Sequence, residues 1–236
     1  MTTVVITGAN RGIGLELTRQ MLARGWRVFA GCRNPSSNKE PFALNHQDSE
    51  RLSLFEIDVT DERSVTEAAA DIARKASSFD ILINNAGVYP EGGDESFEDV
   101  PLELFQAAME VNYLGPIRVT RALLPLLRKS SRGRILNLSS GAATITTKSD
   151  SRRYCYGPSK TALNMFTRTL AYELIKDGIV ATAMSPGWVR TEMGGPDAEL
   201  SPGESVSAMI ETLDGLSPDE AGLFLDRFGN ADHYAW

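Results

Sequence analysis

At 236 residues, 42% hydrophobic and 23% charged, the chain has the size and composition of a single soluble α/β domain with a core on two faces. Thirty-one acids against 24 Lys and Arg give a formal charge of −7, which argues against a general binder of nucleic acid or anionic membrane. Two cysteines, Cys32 and Cys155, are too few for a disulfide framework. Two distant histidines, His46 and His233, build no His-rich metal site, and no apolar run approaches the ~18–20 residues of a membrane span, so the expectation is a cytoplasmic protein without a metal.

Short β-branched runs alternate with longer helical patterns. Val4–Ile6 reads as a buried strand, followed by Gly8 to Gly14 and a helix from about Leu15 to Ala23. Arg27–Ala30 is the second strand, then a polar stretch from Asn34 to Glu50. Leu52–Ile57 is the third strand, Glu62 to Ala76 an Ala-rich helix, and Asp80–Ile83 the fourth strand. A helical region from Leu102 to Lys129 is interrupted at Gly115–Pro116, where proline removes a backbone donor. Arg134–Leu138, a helix over Ser159–Ile175, Ile179–Ala183 and Leu223–Leu225 complete the pattern. Strands this short, separated by helices, predict a doubly wound, mostly parallel Rossmann-type sheet with helices on both faces. Ligands of such sheets bind beyond the carboxyl ends of the strands.

The residues following each strand are therefore the candidates. Gly8-Ala9-Asn10-Arg11-Gly12-Ile13-Gly14 joins the first strand to the first helix. Gly8 suits a tight turn, Gly12 an approach of backbone N–H groups to a pyrophosphate, and Gly14 close packing of helix on strand. A plain turn also collects glycines; the position at a strand-to-helix junction favours nucleotide. After the second strand comes Cys32-Arg33-Asn34, with no acid before Glu40. Arg33 and Arg11 suit a 2′-phosphate and hence NADP(H), unless both are merely solvated. Asp58, before Val59, either accepts from adenine or caps the following helix. Asn84-Asn85-Ala86-Gly87 offers small residues for close approach and amides that tie strand ends together. Of Ser139 and Ser140, alternation along a strand turns one to the cleft.

Tyr156 and Lys160 lie four apart on one helical face, with Pro158 in the first turn. An ammonium beside the phenol is expected to lower its pKa, the tuning that proton transfer to a carbonyl oxygen needs. A second pair, Tyr172 and Lys176, stands sixteen residues further along, at the wrong end of the sheet.

In order along the chain, Thr7-Gly8-x-x-x-Gly12-Ile13-Gly14, Asn84–Gly87, Ser140, Tyr156-x-x-x-Lys160 and Pro186-Gly187 resemble the short-chain dehydrogenase/reductase family. The stretch from Ser185 to Gly195 is similar to the C-factor-like and sniffer-like carbonyl reductases, as is the ending from Leu223 to Trp236. The resemblance implies NADPH-dependent reduction of an aldehyde or ketone. Tyr156 would be the general acid, Lys160 would lower its pKa and hold the nicotinamide ribose, and Ser140 would orient the substrate. Asn112 matches the helix-interrupting Asn that supports a water-linked proton relay, and Val189 and Thr191 match positions that hold the carboxamide. It also implies a homodimer or homotetramer, and a substrate loop at about 190–204 within a single domain, 1–236. A regulatory or signalling dinucleotide-binding protein of the C-factor type, with little turnover, is the alternative. One departure is that Ser140 and Tyr156 stand 16 apart instead of thirteen, the extra length falling in a polar loop, Thr144 to Arg153, with Lys148, Arg152 and Arg153.

Overall fold

The computed structural model describes residues 1–37, 48–92 and 96–231. The stretch from Asn34 to Glu50 is thus covered only at its ends, and Glu40, His46, His233 and Trp236 lie outside the described residues. Seven strands form one sheet: β1 (Thr3–Thr7), β2 (Arg27–Cys32), β3 (Leu52–Glu56), β4 (Ile81–Asn84), β5 (Arg134–Leu138), β6 (Val180–Met184) and β7 (Phe224–Leu225). Their order is β3-β2-β1-β4-β5-β6-β7 and every pair is parallel. The chain winds outward from β1 to β3, returns to β4 and winds the other way. The strand order therefore reverses between β1 and β4, where a crevice opens at their carboxyl ends.

Side-chain alternation assigns the two faces. Val4 and Ile6 of β1, Ile81 and Ile83 of β4, and Leu136 and Leu138 of β5 pack beneath α1 (Gly12–Ala23) and α6 (Pro202–Gly215). The intervening Val5, Leu82 and Ile135 face α2 (Glu62–Lys75), α4 (Gly115–Leu127) and α5 (Tyr156–Leu174). No helix among the described residues is long and apolar enough to cross a membrane.

The break expected at Gly115–Pro116 falls one turn earlier. Helix α3 (Leu102–Met109) passes into α4 through a wide π-helical turn, Glu110–Leu114, in which the Gly115 N–H reaches back five residues to the Glu110 carbonyl. Pro116 then occupies the first turn of α4, directly after the wide turn. The wide turn carries Asn112 into the interior, where it is fully buried.

A buried polar chain ties the sheet to its helices. Asn84 Nδ2 donates to Asn137 Oδ1 (2.8 Å) and to Thr120 Oγ1 of α4 (3.2 Å), and Asn137 Nδ2 donates to Thr167 Oγ1 of α5 (2.8 Å). Asn137→Ala would remove the acceptor of one amide and the donor to one hydroxyl, among fully buried groups. The expected loss of unfolding free energy is about 1–3 kcal/mol, read as a lower urea midpoint at unchanged m-value; an unchanged midpoint would contradict it.

Candidate functional site

One cleft of about 1450 Å³ runs along the carboxyl edge of the sheet. Its walls include Gly8, Asn10, Arg11, Gly12, Ile13, Gly14, Arg33, Asp58, Val59, Asn85, Ala86, Gly87, Ser140, Tyr156, Lys160, Pro186, Gly187, Val189 and Thr191. Asn112 alone among the sequence-predicted site residues stands behind the wall.

At one end lies the glycine loop. Gly8 and Gly12 hold φ of 65° and 53°, a region that side chains disfavour. A Cβ on Gly14 would stand 2.2 Å from the Gly8 carbonyl oxygen and 2.4 Å from Asn85 Nδ2, so only glycine lets α1 descend onto the loop. The first turn of α1 carries no acid, and Arg11, at the cap position, supplies no side-chain bond to it. A helix whose cap residue makes no side-chain bond to it is suited to an anion. Arg11 is ion-paired with Glu192 across the cleft, while Arg33 is exposed at the rim. Asp58 is not the helix cap; Asp61 is, accepting from the Arg63 N–H. Asp58 accepts from the amide and hydroxyl of Thr60 at 2.9 and 2.7 Å. Burial pushes its carboxyl up, but the Thr60 bonds and the Arg33 charge outweigh burial and hold it below the usual range.

The floor is the segment after β4. The Thr7 hydroxyl accepts from the N–H groups of Asn85 and Ala86 (3.1 Å each), and Asn85 Nδ2 donates to the carbonyls of Thr7 and Gly8 at 2.9 and 3.0 Å. Asn112 grips the next residue from behind: its Oδ1 accepts the Val88 N–H at 2.8 Å and its Nδ2 donates to the Val88 carbonyl at 2.9 Å. The same Nδ2 donates to Ser159 Oγ (3.0 Å), which in turn donates to the Tyr156 carbonyl (2.7 Å). Its side chain thus joins the floor to the start of α5.

At the other end stand Ser140, Tyr156 and Lys160. Lys160 Nζ donates to the Leu138 carbonyl at 2.8 Å and lies 5.8 Å from the centre of the Tyr156 ring. Burial pulls its pKa down to about 8. The expected lowering of the phenol is not what this environment produces. Burial raises the Tyr156 pKa, with Glu91 and Tyr89 acting in the same sense; the Ser140 hydrogen bond and the Arg153 charge oppose it without overcoming it. Burial is the dominant cause; the Lys160 ammonium donates to a backbone carbonyl and faces the ring. Ser139 is buried, and its hydroxyl has no partner among the described residues. Ser140 is the serine that reaches the phenol. Tyr89 packs against the Tyr156 ring with centroids 5.2 Å apart, and Trp188 and Met193 are exposed at the lip. On the opposite wall the backbone after Pro186-Gly187 is held by a Val189–Leu200 bridge, and Thr191 Oγ1 accepts the Gly194 N–H (3.1 Å). Tyr172 is exposed at the far end of α5, where its hydroxyl accepts from Arg168.

Glu91 is the residue that sequence reading missed. Helix α5 has no side-chain cap at Cys155; instead the buried Glu91 carboxylate accepts the N–H groups of Cys155 (3.0 Å) and Tyr156 (2.8 Å). The contact spans 64 positions, and Tyr89-Pro90-Glu91-Gly92 signals only a turn. Glu91→Ala strands two buried N–H groups and is expected to lower stability by about 1–3 kcal/mol. Glu91→Gln keeps an acceptor oxygen and should retain most of that stability. Urea unfolding of the two variants checks this, and equal losses would contradict it.

Comparison with known proteins agrees with this geometry. The family model described as short chain dehydrogenase matches residues 2–200. The chain is 40% identical to the C-signal protein of Myxococcus xanthus over 153 residues, 64% of this chain and 89% of that one. The structure of NADPH-bound carbonyl reductase from chicken fatty liver superposes with a TM-score of 0.92 at 32% identity, covering 100% of this chain and 99% of the other. Carbonyl reductase Sniffer of D. melanogaster does so at 0.94 and 31%, covering both chains fully at 100%. With the sheet order, the glycine loop and the Ser–Tyr–Lys end of the cleft in place, the chain belongs to the short-chain dehydrogenase family.

Proposed function

We propose that this protein is an NADPH-dependent reductase of aldehydes or ketones, working in reverse as an alcohol dehydrogenase. We read the whole chain, 1–236, as one dinucleotide-binding domain with its substrate loop at about 190–204. The observation that carries this reading is the convergence of Ser140, Tyr156 and Lys160 at one end of a cleft whose other end is the Gly8–Gly14 loop and Arg33. At 1450 Å³ the cleft exceeds the ~300–1,000 Å³ typical of a drug-sized ligand, as a dinucleotide together with a substrate requires.

The residues fit the nucleotide. The uncapped N-terminus of α1 would take the pyrophosphate, Arg33 the 2′-phosphate, and Asp58 and Val59 the adenine end. Asn85–Gly87 would leave room for the sugar and nicotinamide, with Val189 and Thr191 on the opposite wall. When bound, NADPH supplies the hydride that goes to the carbonyl carbon. Tyr156 gives its phenolic proton to the carbonyl oxygen, and the Ser140 hydroxyl donates a hydrogen bond to the same oxygen as negative charge develops there. A raised phenol pKa keeps the donor protonated at neutral pH, the form that reduction requires. Lys160, with a pKa of about 8, is cationic at pH 7 and adds positive potential where charge develops. Asn112 holds the floor against α5 and so fixes the distance between nicotinamide site and phenol.

The carbonyl reductases of similar structure support this reading. The likeness to C-signal favours a second one, a regulatory protein that binds dinucleotide and turns over little. A pure binder has no use for Ser140, Tyr156 and Lys160 gathered at one point.

The two tyrosine–lysine pairs of α5 provide the test. Tyr156→Phe removes only the proton donor and is expected to lower kcat by about 10²–10⁴-fold with NADPH affinity nearly unchanged. Tyr172→Phe, on an exposed ring at the far end, should leave kcat within a few-fold of the parent. Full activity in Tyr156→Phe with any accepted carbonyl compound would overturn the mechanism. For the cofactor, fluorescence titration should show tighter binding of NADPH than of NADH, and Arg33→Asp should remove the preference by repelling the 2′-phosphate. Equal affinities in the parent protein would contradict it.

A further inference from the structure

The proposed reaction leaves one part of the cleft without a task, the loop from Thr144 to Arg153. It carries three cations, Lys148, Arg152 and Arg153, and one carboxylate, Asp150, and all four line the cleft that holds Tyr156. Asp150 is their common partner: Lys148 pairs with it, Arg152 Nη2 lies 3.3 Å away and Arg153 Nη1 3.0 Å. One carboxylate among three cations leaves the loop a formal surplus of two positive charges, a local reversal of sign in a chain of net charge −7.

Arg153 is held in an unusual way. Among the described residues it is the one non-glycine with positive φ, 64°. Such a conformation is disfavoured for any residue with a side chain and persists where the surroundings over-determine it. Its carbonyl accepts the Gly157 N–H at 3.0 Å, so its backbone forms the entry to α5, three positions before Tyr156. Its contact with Asp150 uses a single nitrogen of a guanidinium that has five N–H donors. Arg33, proposed for the 2′-phosphate, follows β2, whereas these cations follow β5, three strands away in the sheet, so the nucleotide does not account for them. The same cleft is lined by apolar rings and chains, Tyr89 against the Tyr156 ring and the exposed Trp188 and Met193.

We propose that the Thr144–Arg153 loop binds the carboxylate of an anionic carbonyl substrate, a compound carrying an aldehyde or ketone and a carboxylate on one apolar frame, and that Arg153 is the specificity-determining residue. The inference rests on the reductase reading for the carbonyl half of the substrate, while carboxylate binding is a property of the loop itself. Arg153 supplies a fork that matches carboxylate geometry, and Lys148, held by Asp150 and the Arg152 carbonyl, adds a point charge. Asp150 gathers the cations in advance and limits their mutual repulsion.

The test compares para-carboxybenzaldehyde with its methyl ester, in the parent protein and in Arg153→Gly. Glycine suits φ 64°, so this variant removes the charge and relieves the backbone together. Both substrates share Tyr156, so any effect of Arg153 on the phenol cancels in the ratio of their kcat/KM values. A charge-assisted hydrogen bond predicts a preference for the acid of about 10-fold or more, lost in Arg153→Gly and reduced by added salt. A second arm needs no turnover: calorimetry with NADP⁺-loaded protein compares para-(hydroxymethyl)benzoate with its methyl ester. Tighter binding of the acid in the parent protein, abolished in Arg153→Gly, supports the proposal. Equal or undetectable binding of the two compounds overturns it. Failure to reduce either aldehyde would count against the reductase reading alone, and the calorimetric comparison then decides the loop.

Discussion

The hydrogen bonds from the Asn85 amide to the carbonyls of Thr7 and Gly8 are the constraint on which the rest of the site depends. They lock the ends of β1 and β4 together at the point where strand order reverses, and they do so in a space that Gly14 leaves empty. With a side chain at Gly14 the helix could not descend, because the new carbon would meet both the Gly8 carbonyl and the Asn85 amide. The glycine loop, the floor of the cleft and the direction of α1 are thus one packing problem with one solution. From that floor the hold passes through Val88 to Asn112, through Ser159 to the start of α5, and so to Tyr156. The main chain of the residue assigned the chemistry is thus reached from the residues assigned to the nucleotide by the 85–88 backbone and the hydrogen bonds of Asn112 and Ser159.

The electrostatics at the chemical end follow from burial. Lys160 is buried and its charge is discouraged; its bond to the Leu138 carbonyl holds it in place. Tyr156 is discouraged from ionising by the same burial and by Glu91, and encouraged by Ser140 and Arg153. A phenol left protonated suits donation to a carbonyl oxygen, the direction in which the proposed reaction runs. Glu91 links stability to this balance, because the carboxylate that caps α5 also bears on the phenol.

Much of this was legible in the sequence, for reasons that are local. Strands four to six residues long, punctuated by helical periodicity, can only be a covered parallel sheet, and residues just past the strands fall at its open edge by construction. The pairing of Tyr156 with Lys160, against Tyr172 with Lys176, followed from the direction of a crossover helix. What could not be read was set by distance in the chain or by the shape of a turn. Glu91 meets α5 across 64 positions, and nothing nearby in the sequence marks it as a cap. The break in the long helix was sought at Pro116, but a proline tolerated in a first turn moves the irregularity upstream, to the π turn that buries Asn112. Helical spacing places the Lys160 ammonium on the same face as the Tyr156 ring but says nothing of how deeply the phenol is buried, and burial is what pushes its pKa up.

The central claim is that a carbonyl carbon receives a hydride at this end of the cleft while Tyr156 protonates the oxygen. A single-turnover reaction of the protein with NADPH deuterated at the transferable position and a panel of aldehydes and ketones, followed by mass spectrometry of the products, addresses it most directly. The account predicts an alcohol bearing one deuterium on the former carbonyl carbon for each NADPH consumed. Tight binding of NADPH with no deuterated product from any member of a broad panel would contradict it.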